Sequence, residues 1–327
     1  MSHTGDELLG MARGFMSARV LLTGAELGLY TLLDGQRMGV EEVAERVGAD
    51  LRAVTMLSDA LVSLGILSKE GDRYQLAEEA HSLSAQAPDT ILPMVLHGAG
   101  LWKRWSQLTE AVTTGQPGSA GSGGFDPAQM RAFIGAMHVV GTPVADRIVR
   151  AVVPGSASRL LDIGGASGTY TIAFLKASPA LKATLFDRNG VIEMARERLT
   201  GAGLLDRVAL VPGDFYSDPL PEGHDLALLS AIIHQNSREQ NRELYTKTLR
   251  ALVPGGRLVV RDHVMSEDHT QPPSGALFAL NMLTATQGGG TYSLSETTED
   301  LEAAGFERVR LLQPDTNMDG LVEAWRP

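Results

Sequence analysis

The residues best suited to chemistry are three aspartates and a histidine, each standing where an apolar run ends. Asp162 comes at the end of Arg159-Leu160-Leu161-Asp162, and Gly164, Gly165 and Gly168 follow at once. Asp187 ends a second apolar run, Asp214 sits in Pro212-Gly213-Asp214-Phe215, and His234 closes Leu228-Leu229-Ser230-Ala231-Ile232-Ile233. Carboxylates accept hydrogen bonds. Asp187 can take both hydroxyls of a ribose, and Asp214 an exocyclic amino group with Phe215 covering the ring. An imidazole, with a reference pKa of about 6.5, suits proton removal near neutrality. The glycines let the backbone approach a ligand closely and turn into a helix N-terminus.

These residues need strands to hold them. From 158 onward apolar runs alternate with helical patterns. The runs predict strands at 159–163, 182–187, 207–211, 225–230 and 257–263, with Pro254-Gly255-Gly256 as the turn before the last. Helices are expected at about 170–178, 189–201 and 237–252. A helix at 296–304 and strands at 307–312 and 320–326 follow, the two strands as an antiparallel pair at a sheet edge. Alternation with short connections means a mainly parallel sheet covered on both faces. In such sheets the ligand crevice lies beyond the carboxyl ends of the strands. All four residues above would face it.

The preceding half reads as helical. Residues 8–34 carry apolar positions at helical spacing among small residues, which suits an oligomer seam. Residues 40–47 and 51–64 predict two helices, the second N-capped by Asp50. Residues 66–68 and 73–76 then form a hairpin. Helix–turn–helix plus hairpin is a winged helix, a DNA-binding or a dimerisation module. Acidic residues outnumber basic ones over 1–95, and helix 51–64 offers a single Arg to base edges. Dimerisation is therefore the better reading. Helices follow at 91–112, holding Trp102 and Trp105, and at 128–151, with Phe133 and Met137 on one side. Residues 113–127 between them are rich in Gly, Ser and Thr and predict a flexible connector or lid. The expected divisions are 1–95, a helical connector at 96–153, and 154–327.

The chain has 327 residues, a formal net charge of −11 and no cysteine. The acidic balance argues against a nucleic-acid partner. The lack of cysteine leaves no disulfide framework or thiolate metal site and fits a cytoplasmic location. There is no signal-peptide pattern at the start. No uninterrupted apolar run approaches the ~20 residues of a membrane span. A metal at His234, Asp262 and His263 is not expected, because adjacent strand residues point to opposite faces.

A carboxylate such as Asp187 serves both dinucleotide and adenosylmethionine sites. Gly164-Gly165-x-x-Gly168 departs from the dinucleotide Gly-x-Gly-x-x-Gly, and no second mononucleotide half follows. The ordered set Asp-Ile-Gly-Gly-Ala-Ser-Gly, Asp187, Gly-Asp-Phe, Leu-Leu-Ser-Ala-Ile-Ile-His and Leu-Val-Pro-Gly-Gly-Arg-Leu resembles the S-adenosyl-L-methionine-dependent O-methyltransferases of the caffeate, hydroxyindole and polyketide-tailoring type. The resemblance spans nearly the whole chain. It implies an α/β fold: a Rossmann-like class I methyltransferase domain with a seven-stranded mixed sheet, preceded by a mainly helical winged-helix dimerisation domain. It also implies a homodimer and a small-molecule acceptor held between the domains.

By the same resemblance, His234 is the general base and Asp262 the acid that orients it. Asp162, Gly164, Gly165, Gly168, Asp187, Asp214, Phe215 and Ser230 contact the cofactor. Phe133, Met137, Trp102, Asn281 and Met282 are candidates for the acceptor pocket. The chain departs from the family at His234-Gln235-Asn236, where His-Asp-Trp is usual, and near Thr291, where a second acid is expected. One carboxylate partner for the base leaves open a sulfur, nitrogen or carbon acceptor beside the hydroxyl. Rival readings are a winged-helix regulator sensing an adenosyl ligand and a dinucleotide oxidoreductase.

Overall fold

The computed structural model describes residues 3–119, 127–155 and 157–327. The chain divides into two compact units between Trp102 and Lys103.

The helical stretch at the start of the first unit is three helices. α1 (Gly5–Arg13), α2 (Phe15–Glu26) and α3 (Leu29–Leu32) part at Gly14 and at Gly28, whose φ of 72° ends the run. α1 buries nothing, and Leu8, Leu9, Met11, Phe15 and Met16 are exposed, whereas Leu22, Ala25 and Leu29 are buried. β1 (Met38–Gly39), α4 (Val40–Val47) and α5 (Leu51–Ser63) follow, with Asp50 accepting from Ala53 N at 2.9 Å. The hairpin β2 (Leu67–Glu70) and β3 (Arg73–Leu76) pairs Leu67 with Leu76 and Glu70 with Arg73. β1 pairs antiparallel with β3 and completes a three-stranded sheet, order β1-β3-β2. Tyr30, Val43, Val54, Leu61 and Tyr74 form the centre of this winged-helix core.

The helix expected over 91–112 is two, α6 (Leu92–Trp105) and α7 (Leu108–Thr114). The Ser106 hydroxyl donates to Lys103 O at 2.8 Å, and Gln107 N donates to Arg104 O. Such local bonds compete with the helical ladder. Of the expected connector, residues 120–126 lie outside the described residues. α8 (Pro127–Val152) is long and apolar enough over Met130–Val152 to cross a membrane by length and composition alone. Its Ala145, Ile148, Val149 and Val152 are buried in the core of the second unit.

The sheet of the second unit is built from β4 (Arg159–Ile163), α9 (Thr169–Ala177), β5 (Lys182–Asp187), α10 (Asn189–Gly201), β6 (Val208–Pro212), β7 (His224–Ser230), α11 (Arg238–Ala251) and β8 (Leu252–Asp262). A short parallel pair, β9 (Val264–Met265) with β10 (Tyr292–Ser293), brackets α12 (Pro273–Leu283). α13 (Leu294–Ala303), β11 (Glu307–Gln313) and β12 (Gly320–Trp325) complete the chain. The strand order is β11-β12-β8-β7-β4-β5-β6, with β12 antiparallel to both its neighbours and the rest parallel. The sheet is therefore seven-stranded and mixed, with helices on both faces.

β8 begins earlier than expected. Pro254-Gly255-Gly256 lies within the strand, where the register with β7 shifts between His224/Leu252 and Leu226/Arg257. The irregularity survives because Gly255 N donates to Arg326 O and Arg326 N to Gly256 O. The two faces of the sheet bury different partners. Leu160, Leu226, Leu228 and Val259 face α8 and α9, while Leu161, Ile163, Leu229 and Val260 face the α11 and α13 side. β4 starts where Asp225 gathers Ser158 N, Ser158 Oγ and Arg159 N at 2.7–2.9 Å. Burial pushes the Asp225 carboxyl up, but these donors hold it below its ordinary value. Asp225→Ala is expected to remove three hydrogen bonds to exposed donors that water can then satisfy, and to lower stability by about 1 kcal/mol. A denaturant midpoint equal to the wild type's would contradict that anchoring.

Candidate active site

The strand order reverses between β4 and β7, and the glycine turn leaves the sheet at that point. Such switch points open a crevice above the sheet. Gly164 and Gly168 have φ of 69° and 80°, conformations that disfavour a side chain. A Cβ on Gly164 would lie 2.6 Å from Ile232 Cδ1, and one on Gly165 2.7 Å from Leu185 Cγ and 2.9 Å from Asp162 Cγ. The turn can press onto the sheet only because these two positions carry no side chain.

Beneath the turn, Asp162 is 2% exposed and accepts from Thr171 Oγ1 at 2.5 Å. Burial pushes its carboxyl up to about 6; the Thr171 bond opposes this and the charge of Asp187 adds to it. Asp187 ends β5 and braces the turn from the side. Its Oδ2 accepts from Ala166 N at 2.8 Å and its Oδ1 from Arg188 N at 2.7 Å. Each oxygen retains acceptor capacity for a diol. Burial raises this carboxyl as well, against the two backbone donors.

Asp214 follows β6, and its Oδ1 accepts from Tyr216 N at 2.9 Å. Phe215 is half-buried against the core, and its ring edge would lie 3.6 Å from a Cβ on Gly164, which sets it beside the turn. The loop is clamped by Lys247 of α11, whose ammonium donates to the carbonyls of Phe215, Tyr216 and Asp218. The residues present fit an adenosyl group: carboxylates at two successive strand ends, an aromatic ring, and a backbone turn beside them.

His234 lies in a 3-10 turn, Ile233–Gln235, just past β7. Its Nδ1 is 2.9 Å from both oxygens of Asp262, the last residue of β8. Asp262 is 2% exposed. Burial pushes its carboxyl up, but the charge and hydrogen bond of His234 and the N–H of His263 hold it below its ordinary value. A carboxylate on Nδ1–H leaves the lone pair on Nε2. The Phe278 ring of α12 meets the imidazole edge-on at 4.9 Å. Gly290 N donates to His234 O at 2.8 Å, and a side chain on Gly289 would run into that carbonyl. The triple-glycine stretch is thus a close-packed support for the histidine turn.

Several supports carried no signal in the sequence. Tyr216 Oη donates to Asn236 Oδ1 at 2.5 Å, Asn236 to Asn241, and Asn241 to Ile233 O, so the departure His-Gln-Asn supplies polar anchors for the turn. Ala231, with φ of 57°, bends the chain out of β7. Thr291 is buried and donates to Gly275 O at 3.3 Å. His263 follows the strand end and pairs with Asp315 at 2.6 Å. A periodic pattern does not reveal contacts between side chains so distant in sequence.

Among the acceptor-pocket candidates, Phe133 and Met137 are half-buried on α8, and Met282 is buried on α12. Asn281 Oδ1 accepts from Trp105 Nε1 at 3.0 Å. Trp102 belongs to the first unit, its ring 6.1 Å from that of Phe15. Ser230 Oγ accepts from Arg261 Nη1 at 3.4 Å.

The sheet order, the glycine turn at the switch point and carboxylates at successive strand ends define a Rossmann-like class I methyltransferase domain. The sequence profile of the O-methyltransferase domain matches residues 105–307, and that of the O-methyltransferase dimerisation domain matches residues 9–86. The chain belongs to the S-adenosyl-L-methionine-dependent O-methyltransferase family, and its cofactor is S-adenosyl-L-methionine. It is 33% identical over 322 residues to a tetracenomycin polyketide synthesis 8-O-methyl transferase of Streptomyces glaucescens, covering 95% of this chain and 94% of that one. It is 29% identical over 336 residues to an N,N-dimethyltransferase of Streptomyces rimosus, covering 98% and 96%. The structure of the mitomycin 7-O-methyltransferase superposes with a TM-score of 0.88 at 28% identity, over 98% of this chain and 97% of that one. The N-terminal match is to a dimerisation module, so the regulator reading is not favoured.

Asp162 allows a direct test of the buried carboxyl. Its folded value is raised, so its contribution to stability is complete below about 4 and is lost as pH rises through about 6. Asp162→Asn is therefore expected to stabilise the cofactor-free protein at pH 8 by about 1–3 kcal/mol. The advantage should vanish near pH 4. Thermal melts showing no gain at pH 8 would refute the buried-charge assignment.

Proposed function

We propose that the protein transfers the methyl group of S-adenosyl-L-methionine to a hydroxyl of a small metabolite, with His234 as general base. The observation that carries this reading is the buried Asp262 carboxylate on His234 Nδ1. The cofactor supplies an electrophilic methyl carbon on a sulfonium. His234 Nε2 takes the proton of the acceptor hydroxyl as the oxygen attacks, and Asp262 stabilises the imidazolium without itself taking the proton. Asp262 is suited to that part because its carboxyl stays ionised. Phe278 and the glycine support keep the ring in one orientation, and positioning then contributes much of the rate.

Asp187 holds the ribose diol, Asp214 the adenine amino group and Phe215 the adenine face. The glycine turn and Asp162 meet the methionine arm. Phe133 and Met137 of α8 with Asn281 and Met282 of α12 are proposed to shape the acceptor side. The protein works as a homodimer, a reading supported by the dimerisation-domain match and by the apolar residues that α1 and the start of α2 leave exposed. A cytoplasmic location accords with the absence of cysteine.

His234→Ala is expected to lower kcat by 10²–10⁴-fold, the usual worth of a general base, and to leave S-adenosylhomocysteine affinity within about twofold of wild type, a margin of ~0.4 kcal/mol. Unchanged turnover would remove the base. Asp187→Ala is expected to weaken S-adenosylhomocysteine by roughly a hundredfold, ~3 kcal/mol for two lost charge-assisted bonds. Equal calorimetric affinity in variant and wild type would sink the ribose assignment. The acceptor is sought by incubating labelled S-adenosylmethionine with cell extract and reading the methylated metabolite by mass spectrometry.

A further inference from the structure

Arg261 stands near the end of β8 and is 4% exposed. Its neighbour across β12 is Leu321, fully buried and apolar. A buried guanidinium is costly unless an anion and hydrogen bonds compensate it. Here, among the described residues, Nη1 meets only the Ser230 hydroxyl at 3.4 Å, and Nε is buried with no partner. The guanidinium lies over the ring of Tyr170, 5.3 Å from its centroid. The Tyr170 hydroxyl is also buried, near Ser230 but without completing a hydrogen bond. A third orphan, Ser167 Oγ, belongs to the glycine turn itself. Two donors without acceptors thus meet where Arg261 lies over Tyr170, and the third precedes Tyr170 by three residues in the chain, where the turn enters α9.

Strand alternation places this cluster. Asp162 on β4, Ser230 on β7 and Arg261 on β8 follow the parity of Leu160, Leu228 and Val259, so all three face α8 and α9. Asp162 and Arg261 are two strands apart and two residues out of level, since Asp162 stands level with Val259 and Arg261 with Ser230; at the usual strand spacings this is roughly 12 Å between Cα atoms. The arginine side chain reaches across part of that distance, and an amino-acid head group with a hydrogen bond of about 2.8 Å at each end bridges the rest. The acid and the base have the right order for a zwitterion: Asp162 beneath the turn for an ammonium, Arg261 beyond it for a carboxylate.

We propose that Arg261, with the Tyr170 hydroxyl, binds the α-carboxylate of the cofactor's methionine arm. The inference rests on the adenosylmethionine reading above and assigns a residue to its charged end. Arg261 is silent in the sequence because a lone Arg in an apolar strand reads as an edge or surface position. The buried cation is the counter-charge of a ligand group, and Tyr170 holds its plane from below. The Ser230 hydroxyl then orients the guanidinium.

The test is calorimetric titration of the full-length protein with S-adenosylhomocysteine and with its decarboxylated counterpart, which keeps the adenosine, thioether and amine. The wild type is expected to favour the carboxylated ligand at least tenfold. In Arg261→Met that margin should disappear through loss of S-adenosylhomocysteine affinity, with the decarboxylated ligand bound within twofold of wild type. Tyr170→Phe keeps the ring under the guanidinium and should lose several-fold on the carboxylated ligand alone; it carries the test if Arg261→Met does not fold. A wild type that binds both ligands equally, or an Arg261→Met or Tyr170→Phe protein that keeps the full margin, overturns the assignment. A wild type that binds neither ligand removes the cofactor reading and this inference with it.

Discussion

The structure depends on how closely the turn after β4 can lie against the sheet. Gly164 and Gly165 bring the backbone to within side-chain distance of Ile232, Leu185 and Asp162, and any Cβ there would lift it away. Seated at that depth, the turn buries Asp162 and aims the Ala166 amide at Asp187. It also starts α9 where Thr171 can satisfy Asp162 and Tyr170 can lie over Arg261. One steric condition thereby sets the distances among three charged residues on three strands. The elevated proton affinity of Asp162 is the electrostatic cost of that depth.

The histidine is fixed by different means. It belongs to a short 3-10 turn rather than a regular element, so its orientation must come from outside. Asp262 holds one ring nitrogen, Phe278 meets the ring edge-on, and Gly290 holds the carbonyl. The Tyr216–Asn236–Asn241 chain ties the turn to the loop that carries Asp214 and Phe215. Lys247 clamps that same loop. Gln235 and Asn236 after the histidine carry no charge, and Asn236 builds this tie, so the turn gains rigidity through neutral hydrogen bonds.

Much of this was legible in the chain because strand ends announce themselves. Apolar runs reach a polar residue near the strand end at Asp162, Asp187 and Ser230, and a parallel sheet turns those ends into one line. What stayed hidden has specific causes. Pro254-Gly255-Gly256 has the composition of a turn and is an irregularity inside β8, held by Arg326 from far along the chain. Ser106-Gln107 contains neither Gly nor Pro, yet a hydroxyl bond breaks the helix there. Ala231 adopts a left-handed conformation that its type disfavours, because β7 must end beside the turn. Arg261 and Tyr170 lie far apart in sequence, and no periodicity reports an unpaired buried donor.

β8 places Arg261 and Asp262 side by side on opposite faces of the sheet. A slip of one residue in its pairing would exchange them. A guanidinium would then stand against His234, and a carboxylate would be buried against Tyr170 on the face that already holds Asp162. That arrangement buries like charges on one face and leaves a base without its acid on the other, so a one-residue slip is penalised on both faces at once. Two adjacent charges of opposite sign thus act as a register lock for β8. Its selectivity operates while the sheet assembles, before any ligand is present.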